Sequence, residues 1–355
     1  VGDTHASSDA KSSSPAADAD IFAGYRREID RLLDRYIPRD RPAALLQFPY
    51  DGNVGNHMMW TATCDYLEER GIPLRYVAHN GNFDVKELAR AVGDGTVLFL
   101  GGVTISRLWP RHAEVKRAVA RELPRNRLVS LPSTSLFVDD DDRSTAATIF
   151  GDHAHVTVMA RDPLSQAQAR AVFPQSVEVL TVPDLALRLP AQERRGTPTK
   201  PIIWLARGDI ERLMGEPPKD VHVFDWPSYT YPEIPVGHYM LRLSGVVSRL
   251  RASPLRRVLP PSPLNQPICR LYRHASQNII RYGNRVLDQG DVLVTDRMHP
   301  QMLAALRGQH AVVLPDKYGK NRAVYENFTR RFGTVHWANT PEEALATARA
   351  LVRIG

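Results

Sequence analysis

The sequence is poor in cysteine, with two in 355 residues, Cys64 and Cys269. Two thiols cannot build a metal cage or a disulfide framework, so a reducing, cytoplasmic setting is the default expectation. Long apolar runs are also missing. The longest, around Val97–Val103, falls far short of the ~18–20 residues a membrane span needs and reads as a strand. There is no Gly-x-Ser-x-Gly nucleophile elbow, no P-loop, no dinucleotide-binding glycine spacing and no nucleic-acid-binding motif. What remains is ordinary globular composition, 43% hydrophobic and 24% charged, which excludes collagen, coiled coil and disulfide-rich miniprotein. The length suggests two domains of roughly 150–200 residues.

Residues 1–20, mostly Ala, Ser and Asp, have no apolar signal core and read as a disordered leader. Phe22, Tyr25, Ile29, Leu32, Leu33 and Tyr36 then share one helical face. Candidate strands follow at 44–48, 74–78, 96–100, 127–131, 155–160 and 178–182, with helical patterns at 56–69, 85–92, 111–122 and 163–172. The alternation predicts a parallel sheet covered by helices, an α/β domain over 21–190. Residues 191–200 lack apolar periodicity and read as a linker. Strand patterns resume at 202–206, 221–225, 291–295 and 311–314, and helical ones at 268–287, 299–307 and 321–331, giving a second domain over 201–340. A last helix, within 341–355, follows Thr340 as N-cap with Pro341 in its first turn and Glu343 at the capping-box position. The expected architecture is two doubly wound, Rossmann-like domains facing a cleft.

In such sheets, ligands bind where strands end and helix N-termini converge. Tyr50-Asp51-Gly52-Asn53-Val54-Gly55-Asn56-His57 follows the first strand; its polar groups suit a binding turn, with Asn56 as cap, or a plain strand-to-helix connection. Gly101-Gly102 allows close approach of a ligand or of a neighbouring helix. In Arg161-Asp162-Pro163, Asp162 and Pro163 are capping chemistry, whereas Arg161 reads as a ligand contact or as the partner of a carboxylate such as Asp184. Arg207, in Leu205-Ala206-Arg207-Gly208-Asp209, suits bidentate recognition of carboxylate or phosphate, or is a surface arginine. The sharpest element is Val294-Thr295-Asp296-Arg297-Met298-His299-Pro300. A buried-type strand there delivers a cation and a titratable imidazole to the start of a helix opened by Pro300, where free amides favour an anion. Lys317 and Lys320, after strand 311–314, fit the same site. Asp139–Asp142 reads as a solvated loop rather than a metal site, and no metal or cofactor is expected.

Taken in order from Leu45 to Phe332, these elements resemble the polysaccharide pyruvyl transferase family. The resemblance includes Asn53–Asn56, Gly101-Gly102 with Leu108-Trp109-Pro110, Ser130–Thr134, Arg161-Asp162 with Ser165, Pro183–Leu187, and Arg207 with Asp209 and Glu211. Thr295-Asp296-Arg297-Met298-His299 and Tyr318-Gly319-Lys320 are its specific part. The family commonly has glycine where Val103 stands and leucine where Met298 stands. The resemblance implies a glycosyltransferase-B-like fold, with an acceptor side in 21–190 and a donor side in 201–340. It also implies transfer of pyruvate from phosphoenolpyruvate onto two hydroxyls of a sugar in a polysaccharide or glycolipid, with loss of phosphate. Arg207, Arg297, Met298, Lys317, Lys320, Asn53 and Arg161 are then the expected substrate contacts. His299 becomes the proton donor, its pKa expected to be raised by adjacent anions, and Asp51 the acceptor-side group.

Two other readings compete: a sugar-nucleotide glycosyltransferase of the same fold, and a non-catalytic protein that binds anionic surfaces. The second rests on the net charge of +7. That surplus is local, because residues 237–287 hold nine arginines and no Lys, Asp or Glu. The basic amphipathic pattern of Tyr239–Leu250 and the proline-rich loop Pro254–Pro267 suit a solvated insert, or a peripheral contact with the cytoplasmic membrane face.

Overall fold

The alternating pattern folds, in a computed structural model, as two separate parallel sheets. The structure describes residues 15–102, 105, 109–209, 211–213, 215, 217–226, 245, 246, 249 and 262–352. Its contacts divide the chain into an N-terminal unit, Tyr25–Leu189 with Asp225–Val286, and a C-terminal unit, Val1–Gly24 with Pro190–Phe224 and Leu287–Gly355.

The N-terminal unit takes up most of helix α1 (Pro15–Tyr36), then β1 (Ala43–Leu46), α2 (Val54–Glu69), β2 (Leu74–Ala78), α3 (Val85–Val92) and β3 (Thr96–Phe99). It continues with α4 (Pro110–Glu122), β4 (Arg127–Ser133), α5 (Asp140–Ala147), β5 (Val156–Ala160), α6 (Pro163–Val172) and β6 (Glu178–Thr181). The strand order is β2-β1-β3-β4-β5-β6, all parallel. Helices on the sheet make its strands apolar on both faces, and β1, β3 and β5 are buried throughout. Gly101 continues β3, and a Cβ there would lie 2.0 Å from the Pro132 carbonyl oxygen. The close approach expected of a ligand or a helix is thus made by the backbone of the neighbouring strand β4.

The C-terminal unit holds β7 (Lys200–Leu205), β8 (His222–Phe224), β9 (Gly290–Thr295), β10 (Ala311–Val313) and β11 (Val335–Trp337), in the order β11-β10-β9-β7-β8, again all parallel. The expected linker is tied to it: Gln192 N–H donates to the Leu306 carbonyl and Thr199 N–H to that of Gln289. A 27-residue helix, α7 (Ser262–Asp288), precedes β9. After β9 come α8 (Met298–Leu306), α9 (Lys320–Asn327) and α10 (Pro341–Val352).

Several local expectations need correction. Helix α1 starts at Pro15, inside the expected leader, as its alanine-rich opening favours. Asn53, not Asn56, caps α2, accepting from Gly55 N–H at 3.2 Å, because the helix begins two residues earlier than its apolar pattern shows. Asp139–Asp142 is no loop: Asp139 caps α5 through Asp142 N–H, and the buried Asp142 carboxylate accepts from Val138 N–H. The loop expected to run to Pro267 is helical from Ser262. Pro263 falls in the first turn, where its missing N–H costs nothing, and Pro267 removes one helical bond. Pro300 is the third residue of α8 rather than the first. The cap expected at Thr340 is present, Glu343 N–H donating to Thr340 Oγ1.

Helix α7 belongs to the N-terminal unit up to Val286, although it follows strands of the other. Tyr272 stacks on Phe48 at 4.2 Å between ring centroids, and its hydroxyl accepts from Asn82 Nδ2 at 2.6 Å. Arg273 pairs with Asp65 and Glu68, each at 2.7 Å. Gly283 lets α7 close on α2, since a Cβ there would meet Val54 Cγ1 at 2.7 Å. Ser276 hydroxyl lies 2.9 Å from His57 Nδ1, whose other nitrogen lies 2.8 Å from the Asp51 carbonyl oxygen. That carbonyl can only accept, so Nε2 carries the proton and Nδ1 accepts from Ser276. Of the nine arginines in 237–287, Arg242, Arg251, Arg256 and Arg257 lie outside the described residues, as does most of the Tyr239–Leu250 pattern. Arg249 is exposed, and Arg270, Arg273, Arg281 and Arg285 are on α7. Both cysteines are buried and unbonded to each other. Among the described residues no helix is long and apolar enough to cross a membrane.

Two outcomes follow. Gly101→Ala forces a carbonyl aside and lowers stability by about 2–3 kcal/mol, seen as a fall of several degrees in Tm. Burial holds His57 neutral, lowering its pKa from 6.5 to about 4. The stability this provides is complete above pH 6.5 and is lost as pH falls toward about 4, where the unfolded chain takes up a proton that the folded chain refuses. The loss is on the order of 3 kcal/mol. His57→Gln therefore narrows the difference between urea unfolding free energies measured at pH 7 and pH 4.5.

Candidate functional site

Each sheet reverses its winding direction at one place, between β1 and β3 in one and between β7 and β9 in the other. Loops leaving neighbouring strands there diverge, and the crevice they leave is where open α/β sheets bind ligands. Arg207 follows β7, and Arg297 and His299 follow β9, so they flank the reversal in the C-terminal sheet. Lys317 and Lys320 follow β10, the next strand along.

These loops are held by cross-strand bonds. Leu205 stands opposite Thr295, and Thr295 is level with Val313. Thr295 hydroxyl donates to the Leu205 carbonyl at 2.9 Å and accepts from Arg297 N–H at 3.0 Å. Asp296 is buried, and its carboxylate accepts from Arg207 N–H at 2.8 Å. Burial raises the Asp296 carboxyl above its usual range, against the opposing pull of that amide and of both guanidinium groups. Asn321, fully buried at the start of α9, donates from Nδ2 to the carbonyls of Asp296 (2.7 Å) and Leu314 (2.8 Å). Its N–H donates to Asp316. Asp296, Asp316 and Asn321 thus fix the loops that carry the cations, a role the sequence reading missed. Asn321 directly follows the Tyr318-Gly319-Lys320 element, yet nothing in that element pointed to the asparagine itself.

The cations sit among carboxylates. Arg207 holds Asp209 with two bonds of 2.9 Å and Glu211 at 2.7 Å. Arg297 Nη2 lies 3.8 Å from Asp209, and Lys320 pairs with Glu211. Burial works against the charge on Arg207, yet these pairs raise its pKa above the ordinary value. Burial likewise raises Asp209, but hydrogen bonds from Arg207 and the charges of Arg207 and Arg297 hold it lower than usual. Asp209 remains 45% exposed at its side chain, against 10% for Arg207 and 7% for Lys320. His299 is buried at the second position of α8, and Met298 is buried beside it. Lys317 is exposed, and both Lys317 and Lys320 place Nζ 5.8 Å from the centre of the Tyr318 ring. The set can grip an anion with planar and point charges while presenting a titratable ring.

Asp51, Asn53 and Arg161 belong to the N-terminal unit. Asp51 accepts from Asn53 N–H at 3.0 Å, which closes the turn after β1. Arg161 is buried, with Nε on Thr134 Oγ1 at 2.7 Å, Nη1 on Asp184 at 3.1 Å and Nη2 also on Thr134. All three nitrogens are engaged, so Arg161 ties β4, β5 and the turn after β6 together, as the Asp184 pairing anticipated. Among the described residues no group of three His, Cys, Asp or Glu is placed to hold a metal.

Residues 53–317 match the family model described as polysaccharide pyruvyl transferase. EpsO of Bacillus subtilis (strain 168), which carries the name of a pyruvyl transferase, is 24% identical over 302 residues, covering 83% of this chain and 88% of its own. Pyruvyl transferase 1 of Schizosaccharomyces pombe (strain 972) is 25% identical over 295 residues, 80% of this chain and 69% of its own. A crystal structure of a functionally uncharacterised Klebsiella pneumoniae protein shares the fold with a TM-score of 0.54 at 16% identity, covering 89% of this chain and 99% of that one. The two-sheet arrangement is consistent with the glycosyltransferase-B-like class. With the family's model spanning the loops that carry Asn53, Arg207, Arg297 and His299, this chain belongs to the polysaccharide pyruvyl transferase family.

Proposed function

We propose that the protein transfers the pyruvyl group of phosphoenolpyruvate onto two hydroxyls of a sugar, forming a cyclic ketal and releasing phosphate. The observation that carries this reading is the convergence of Arg207, Arg297, Lys320 and His299 on three neighbouring strand ends at the β7–β9 reversal. Phosphoenolpyruvate bears a carboxylate and a phosphate, and two guanidinium forks with an ammonium match that pair of anions. Lys317, exposed beside them, adds positive charge at the rim. The donor competes with Asp209 and Glu211 for these cations.

His299 supplies the proton that the donor's methylene carbon takes up. As that C–H bond forms, positive charge develops on the adjacent carbon, and a sugar hydroxyl oxygen bonds to it. The second hydroxyl then displaces phosphate at the same carbon, the C–O bond to phosphate breaking as the second ketal bond forms. One hydroxyl proton restores His299 and the other leaves with phosphate, so the atoms balance. Arg207 and Arg297 stabilise the charge gathering on the departing phosphate. Asp51 and Asn53, at the turn after β1, are the groups we assign to orienting the acceptor. The acceptor belongs to a polysaccharide or glycolipid.

Phosphate release from phosphoenolpyruvate, with a panel of methyl α- and β-hexosides and mass analysis of the products, tests the reading. We expect His299→Ala to lower kcat by about 10²–10⁴-fold with Tm unchanged. Arg297→Lys keeps the charge but loses the fork, and raises the phosphoenolpyruvate KM by about tenfold. Near-wild-type release by His299→Ala would discard the assignment. Thermal stabilisation by nucleotide sugars alone would favour a glycosyltransferase instead.

A further inference from the structure

Within the N-terminal unit, a second set of side chains has no part in the scheme above. A cavity of about 420 Å³ is bounded by Asn80, Gly81 and Phe83, from the loop after β2, and by Arg111, Glu114, Val115 and Ala118. That volume is within the ~300–1,000 Å³ of small-molecule sites. The four α4 residues are spaced i, i+3, i+4 and i+7, so one helical face forms the whole wall. The opposite side of α4 is anchored: Lys116 is fully buried, donates to Gln47 Oε1 at 2.8 Å and lies 5.0 Å from the centre of the Phe99 ring.

The loop wall is equally fixed. Asn82 is bonded to Tyr272 of α7, and its Oδ1 accepts from His79 N–H at 3.0 Å. Gly81 donates its N–H to His79 Nδ1 at 2.9 Å, and a Cβ on Gly81 would meet the His79 ring at 2.8 Å. The His79 ring in turn stacks on Tyr50 at 4.7 Å, one residue before Asp51. Gly81, which lines the cavity, is thereby linked through the His79 ring to Tyr50, the residue before Asp51.

Its chemistry differs from that of the C-terminal strand ends. The lining carries one positive and one negative side chain, Arg111 and Glu114, so it has no net preference for anions. Asn80 Oδ1 is buried with no hydrogen-bond partner among the described residues. Phe83, Val115 and Ala118 add an apolar surface. Hydroxyl acceptors, a fork of donors and an apolar face together match a neutral pyranose, which has hydroxyls at its edge and C–H bonds on its faces.

We propose that this cavity is a subsite for a neutral hexopyranose of the acceptor glycan, read by Arg111, Glu114 and Asn80. The assignment rests on the pyruvyl-transfer reading for its meaning, but the binding it asserts can be measured without turnover. Saturation-transfer NMR with methyl α- and β-glucosides, galactosides and mannosides is run on the full chain, alongside thermal shift with phosphoenolpyruvate. We expect at least one hexoside to be saturated by the wild-type protein and to bind Glu114→Gln and Arg111→Gln about tenfold more weakly. The phosphoenolpyruvate shift should be the same in all three proteins. Both side chains are exposed, so the variants should fold, and equal Tm values confirm it. No saturation of any hexoside by the wild type, or equal saturation by the variants, overturns the subsite. Hexoside binding that depends on Glu114, in a protein that phosphoenolpyruvate neither stabilises nor drives to release phosphate, upholds the subsite and overturns the donor assignment instead.

Discussion

The pairing of β7 with β9 is the constraint on which the candidate donor site depends. These strands are separated in sequence by residues 206–289, yet they lie in register, with Leu205 opposite Thr295. Parallel neighbours always need a crossover, and here that crossover includes an excursion into the other unit. The reversal of winding places Arg207 and Arg297 on loops that leave the sheet in different directions from adjacent strands. Thr295 and Asp296 then fasten the two strand ends through main-chain groups, leaving the arginine side chains to the loops. Without that register, the same residues would be scattered surface cations.

Electrostatics explains why such a group of cations is tolerable. Arg207, Arg297, Lys317 and Lys320 are accompanied by Asp209, Glu211, Asp296 and Asp316, so the formal charges on these loops balance. Each buried guanidinium would carry a heavy desolvation penalty alone, and the carboxylates offset it. In the proposed scheme, an anionic donor gains only what exceeds these resident pairs. The overall basicity, placed by the sequence in 237–287, is thus unrelated to the cations of the site.

Much of this was legible in the sequence because parallel sheets write themselves plainly. Fully buried strands are apolar runs, so 96–100 and 291–295 stood out, and chemistry-bearing residues immediately after them marked the strand ends. Arg297 and His299 were readable for that reason. Val335–Trp337 was not, since three residues with a histidine in the middle carry no period. Asn321 was invisible because its partners, Asp296 and Leu314, depend on a sheet register that local sequence does not encode. Arg161 could be read two ways until Asp184 and Thr134 were seen to take all three of its nitrogens. The affiliation of α7 was hidden more deeply: periodicity reveals that a helix has an apolar face, never which sheet that face meets.

That affiliation shapes how the N-terminal unit can work. Helix α7 contacts the products of two separate strand ends, reaching the Asp51 turn through Ser276 and His57 and the Asn82 loop through Tyr272. Both contacts are hydrogen bonds buried among aromatic rings, where an unmatched group is costly, so they hold the two loops in one geometry. The helix comes from the middle of the second sheet's sequence, so neither a fragment ending at Leu189 nor one beginning at Pro190 contains all of the Asp51 environment. The order of elements in the chain and their order in space are different, and the surroundings of the Asp51 turn are a composite of both halves of the sequence. Local sequence left Tyr50–His57 open as a binding turn or a plain connection, because Ser276, which meets His57, lies far along the chain.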